Sequence, residues 1–194
     1  MRNLRVSLVA SALVILLAAC GGPSGKEMTR AKQARFTGDK ATIFAGAKAV
    51  TEAKYKLDKV DENAAGLQTV GRWYMTDGML APGSDADMRQ VPDKSIRLVL
   101  VVRVLPDGDN WKVEVEPSML RKLSGSPAPQ KLEKTDPDYP GFIQGQVDTL
   151  LFEIWNGLKA YEVKTPGGVV PAGPATDGSA DSAAPTTVEP TNTN

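Results

Sequence analysis

Cys20 is the only thiol in a chain of 194 residues, and histidine does not occur at all. Lacking imidazole, the chain has no common general base, no Ser-His or Cys-His nucleophile pair and no usual zinc ligand set. The chemistry left to it is mostly that of carboxylates. Asp85 and Asp87 with Asp93, or Asp107 with Asp109, are near enough in sequence to suggest calcium. Arg89 and Gln90 stand where an EF-hand loop needs a ligand and a glycine, so polar turns are expected instead. Glu114 and Glu116 fall on one face of an alternating strand and could form a carboxylate pair. Arg97 and Arg103 balance them, which favours a solvated face. Ser124-Gly125-Ser126 is a loop: no strand precedes it, as a nucleophile elbow would require. The reading is therefore non-enzymatic, with no catalytic residue, no cofactor and no metal.

The chemistry expected of Cys20 depends on what precedes it. Arg2 and Arg5 stand before an apolar run from Val6 to Ala19 that only Ser7 and Ser11 interrupt. The run is short for a membrane span and has the basic front of a secretory signal. It ends in Leu17-Ala18-Ala19-Cys20, followed by the flexible Gly21-Gly22-Pro23-Ser24-Gly25. This order resembles a bacterial lipobox. The resemblance implies cleavage between Ala19 and Cys20 and lipidation of the Cys20 sulfur, palmitate included. Each buried methylene contributes ~0.8 kcal/mol, so several acyl chains hold almost permanently where one holds weakly. Gly21 at the second mature position resembles an outer-membrane address, with the domain more naturally on the periplasmic face.

Composition limits the rest. Lipidated Cys20 leaves no disulfide within the chain. Lys and Arg number 23, as do Asp and Glu, so loss of Arg2 and Arg5 with the leader leaves a net charge of −2. Nucleic-acid binding needs a dominant basic field and is not expected. Residues 1–19 read as the signal peptide and 20–26 as the lipidated cysteine with a Gly-rich spacer. Residues 27–164 hold every aromatic side chain outside the leader, enough for one core. From Thr165 to Asn194 the sequence is Pro, Thr, Ala and Gly rich and too apolar-poor to offset its backbone entropy, so a disordered tail is expected.

Within the domain, Asp39 can cap a helix to about Lys54 with Ile43, Ala47 and Val50 on one stripe. A weaker basic helix is readable over Glu27 to Phe36. Tyr55 to Asp61 and Leu67 to Met75 read as strands, and residues 76–94 and 121–138 as long loops. Ser95 to Leu105 alternates Ile96, Leu98, Leu100, Val102 and Val104 with polar positions, and Trp111, Val113 and Val115 alternate with Lys112, Glu114 and Glu116. A hairpin through Asp107-Gly108-Asp109-Asn110 sets Val104 opposite Val113, Arg103 opposite Glu114 and Val102 opposite Val115. Pro140 opens a last helix to about Ala160, striped by Ile143, Val147, Leu150, Leu151, Ile154 and Leu158. The fold class is α+β: an antiparallel sheet of about four strands packed with two main helices.

The order helix, Tyr55-Lys56-Leu57, Asp61-Glu62-Asn63-Ala64-Ala65-Gly66-Leu67, hairpin and long helix resembles the helix-grip domains of BamC-like lipoproteins. That resemblance implies a binding or scaffold role in outer-membrane assembly, with an envelope protein as partner and the membrane held through Cys20. A small-molecule or lipid carrier, with a cavity between sheet and helix, is the alternative. Phe152 lies off the apolar stripe of the last helix and Trp155 borders it, so the two are a candidate partner surface; the alternative is a helix gripped by sheet and loops on nearly all sides, which buries both rings. The cluster Lys26, Arg30, Lys32, Arg35 and Lys40 could touch anionic headgroups, although an ordinary solvated helix face is the default.

Overall fold

The computed structural model describes residues 23–82 and 91–163. The leader, Ala19, Cys20, Asp85, Asp87 and the tail from 165 onward lie outside the described residues.

Helix α1 (Gly25–Gln33) starts inside the stretch read as spacer. Ser24 caps it: its Oγ accepts from Glu27 N at 3.3 Å, while Ser24 N donates to the Glu27 carboxylate at 3.0 Å. This reciprocal arrangement satisfies two backbone donors at the helix start. Asp39 caps α2 (Lys40–Glu52), as its position before the apolar stripe predicts. Helix α3 (Phe142–Gly157) begins after Pro140-Gly141 and continues into a 3₁₀ turn (Lys159–Tyr161).

The strands are β1 (Leu57–Asp61), β2 (Gly66–Thr69), β3 (Arg72–Tyr74), β4 (Ile96–Asp107), β5 (Asn110–Arg121) and β6 (Gln130–Lys131). They form one antiparallel sheet in the order β1-β2-β4-β5-β6, with β3 also paired to β4. The hairpin of β4 and β5 adopts the expected register: Val104 opposite Val113, Arg103 opposite Glu114 and Val102 opposite Val115. Gly108 takes φ 61° at the turn, a conformation that glycine adopts without steric cost.

The α+β class and the antiparallel sheet stand, with six strands and three helices among the described residues. The strand expected over Leu67 to Met75 is broken in two at Val70-Gly71. A Cβ at Gly71 would lie 2.6 Å from Arg97 Nε, so the chain passes close over that side chain. β6 lies in the segment read wholly as loop, and β5 runs five residues further than the alternation suggested.

One face of the sheet carries Ile96, Leu98, Leu100, Val102, Val104, Val113, Val115 and Met119, all buried under α2 and α3. Ile43, Ala47, Ile143, Leu150 and Ile154 from the helices are fully buried against them. The opposite face holds a smaller cluster of Trp73, Ala81 and Val91, with Met75 beside it. No helix among the described residues is long and apolar enough to cross a membrane.

Candidate functional site

The candidate partner surface, Phe152 and Trp155, forms one aromatic pair with ring centroids 5.4 Å apart. Trp155 is only 2% exposed, however, so its ring is not presented to solvent. The reason is α1, which packs along α3 and covers the border of its stripe. Arg30 of α1 stacks over the Trp155 ring with its Cζ 5.7 Å from the centroid, and Lys159 Nζ lies 4.4 Å from it. Phe152 is half-buried and packs against the same core. The two rings therefore hold α1 and α3 together more than they offer an open patch.

Ion pairs complete that junction. Arg30 grips Glu162 with two bonds, Nε to Oε1 at 2.8 Å and Nη2 to Oε2 at 2.9 Å. Burial pushes the Glu162 carboxyl up, but the Arg30 bonds, the nearby Trp155 N–H and the Lys159 charge outweigh it and hold it below its ordinary value. Trp155 Nε1 itself meets no acceptor in hydrogen-bond geometry among the described residues. Lys32 reaches Asp148 at 2.9 Å, and Asp148 also accepts from Gln144. Arg35 pairs with Asp107, and Lys40 donates to the Asn63 carbonyl. Four of the five cations in the basic cluster thus spend their charge or donors inside the domain. The Ser-x-x-Glu pair of Ser24 and Glu27 marks the start of this helix, which the basic stretch from Glu27 alone does not fix.

The carboxylate pair is accounted for similarly. Glu116 takes Arg103 at 2.9 Å and Glu114 takes Lys112 at 2.6 Å, on the outer face of the sheet. Asp93 accepts from the Ser124 N–H, which ties two loops together. No group of three potential metal ligands converges among the described residues.

Between the loop after β6 and the outer face of β4 and β5 lies a cleft of about 720 Å³. Val101, Glu116, Ser118, Lys131, Glu133 and Lys134 line it, with Met119 and Leu132 adding apolar surface. A smaller hollow of about 260 Å³ beside it shares Gln68, Val101 and Arg103. Such a surface can bind and orient a polar or charged group. No known family model matches the chain, and no curated protein matches it.

Proposed function

We propose that the protein is a lipid-anchored, non-enzymatic binding or scaffold module of the cell envelope, held to the outer membrane through Cys20. The observation that carries this reading is the docking of α1 on the body of the domain. Ser24 is already the cap of that helix, so only Gly21, Gly22 and Pro23 stand between it and Cys20, a separation of four chain steps. Fully extended, four chain steps span at most about 14 Å. A lipid on Cys20 would therefore hold the α1 end of the domain close to the bilayer surface instead of letting it range on a long tether.

A helix-grip-like arrangement belongs to this reading and is supported by α3, whose Ile143, Leu150 and Ile154 are completely enclosed by sheet and helices. The carrier alternative finds less support. Side chains bordering a cavity able to hold a ligand would show accessible surface, whereas Val102, Leu150 and Ile154 show 0% where helix meets sheet.

Metabolic palmitate labelling of wild type and Cys20→Ser tests the anchor. Without the thiol no thioether can form, so the variant should carry no label and leave the membrane fraction. Equal labelling ends this reading. In-cell cross-linking of the wild type from the outer face of the sheet then tests the binding role, which requires a defined adduct that survives competition with non-specific protein.

A further inference from the structure

The two long edges of the sheet are treated differently. β1 is defended: its outward row carries Asp58, Lys59 and Asp61, and its register slips between Leu57 and Lys59. Charges and bulges of this kind discourage a foreign strand from pairing. β5 also carries outer-row charges, Lys112, Glu114 and Glu116, and a proline at 117, but its pairing with β4 runs without a register slip along its whole length.

Hydrogen bonding fixes which of its groups face outward. Leu100 N donates to Thr69 Oγ1 and Val104 N to the Ala65 carbonyl, so even-numbered residues of β4 turn towards β2. Their partners in β5, Pro117 and Val113 among them, must then direct their backbone groups away from β4. Trp111 at one end exchanges two 2.8 Å bonds with Phe36, and Met119 at the other accepts from Leu132 N at 3.1 Å. Between these flanks the N–H and C=O of Val113 and Val115 and the C=O of Pro117 have no partner among the described residues. Pro117 itself, with no N–H to lose, is tolerated in β5 because its nitrogen faces this edge.

We propose that this gap in the β5 edge is a strand-acceptor site for a short extended segment of a protein partner. The proposal deepens the binding-module reading and rests on it. A row of alternating donors and acceptors spaced two residues apart is matched by an extended backbone and by little else. Both flanking segments run antiparallel to β5, so the guest takes that direction too. From Val113 to Pro117 the edge offers room for about five residues at ~3.4 Å each. A second copy of this chain does not fit: its own β5 edge carries the same flanking segments, which would collide with Phe36 and Leu132 in an antiparallel pairing. Guest side chains on the inner side meet Val113, Val115 and Pro117 and should be apolar. Those on the outer side rise beside Glu114 and Glu116, the second of which lines the 720 Å³ cleft, and should be basic or polar.

The test uses the full-length lipidated protein in detergent micelles and the capped pentapeptide acetyl-Val-Arg-Val-Arg-Val-amide. Residue-resolved hydrogen exchange should show the Val113 and Val115 amides open in the free protein and protected with peptide. N-methylation of the peptide valines should abolish that protection. Val115→Pro removes one edge donor on the side where Pro117 is already accepted, and should weaken peptide binding by about tenfold while keeping the fold. Amides that are already protected without peptide overturn the proposal, as does equal binding by the N-methylated peptide. So does a folded Val115→Pro protein that binds undiminished; if that variant fails to fold, the wild-type exchange result decides alone. Failure here beside an intact in-cell adduct removes the strand site but keeps the binding role, whereas loss of both removes the wider reading.

Discussion

Gly46 passes so close to Leu158 that a methyl group on it would sit 2.6 Å from Leu158 Cδ2. Gly157 makes the reciprocal approach from α3, where a Cβ would lie 2.7 Å from Val50 Cγ2. The two glycines let α2 and the end of α3 cross at close range, which brings Ile43, Ala47 and Ile154 into one fully buried layer.

That crossing yields an asymmetric prediction. Alanine is favoured over glycine inside a helix by about 1 kcal/mol, while overpacking a filled core costs about 1–3 kcal/mol. Leu158 is 1% exposed and has nowhere to go, so Gly46→Ala should be destabilising on balance. Val50 is only partly buried and can turn aside, so Gly157→Ala should be nearly neutral. Urea unfolding of both variants checks this, and a Gly46→Ala protein as stable as wild type would show that the helices can part.

The junction of α1 predicts a pH-dependent clamp. Because Glu162 is held below its ordinary value of 4.5, its contribution to stability is present above that pH and lost as pH falls through the lower folded value. Glu162→Gln removes the charge that Arg30 grips. At pH 7 this variant should show faster amide exchange in residues 25–33 than wild type, and the difference should close on acidification below 4.5. A gap that does not narrow at all as the pH is taken progressively below 4.5 would mean the clamp does not depend on the carboxylate charge.

Legibility followed the range of the forces. The β4–β5 register could be read from sequence because alternation and a tight turn are local, and a slip of one residue would set valines opposite glutamates. The stripe of α3 was equally plain. Periodicity places Trp155 at the border of the stripe and cannot choose between burial and exposure, because its cover, α1, lies more than a hundred residues earlier and periodicity along one helix says nothing about what packs on it. The break at Gly71 likewise depends on Arg97 across the sheet. The open edge of β5 escaped notice for a third reason: which backbone groups face outward follows from strand order, and strand order is a property of the whole sheet.

Alkaline pH should act through Tyr55. Its hydroxyl donates to Gln146 Oε1 at 3.1 Å, and burial, helped by the fields of Tyr74 and Glu153 against that of Arg72, pushes its pKa from 10.0 to about 12. A raised folded value means the stabilisation is complete below pH 10 and fades as pH rises towards 12. Tyr55→Phe gives up the hydrogen bond, costing about 1 kcal/mol at neutral pH, but cannot ionise. The melting temperatures of wild type and variant should therefore converge between pH 10 and 12. Parallel curves would place the alkaline loss elsewhere, with Tyr74 the next group whose value burial raises.

Phe152 decides between holding the fold and meeting a partner. It is half-buried, touches the core and lies 5.4 Å from Trp155 in a tilted pair. Truncating a buried Phe costs about 3–5 kcal/mol, and roughly half of that applies to a ring half in water. Phe152→Leu keeps most of the apolar volume and loses chiefly the ring contact, worth about 0.5–1.5 kcal/mol. The expected order of stability is therefore wild type, then Phe152→Leu, then Phe152→Ala. Exchange of the α1 amides should rise in the same order, because the ring supports the indole on which Arg30 rests. An alanine variant that melts like wild type and keeps α1 protected would show that the ring carries little of the fold. Phe152 would then return as a surface for a partner, and the in-cell adduct should be lost in that variant.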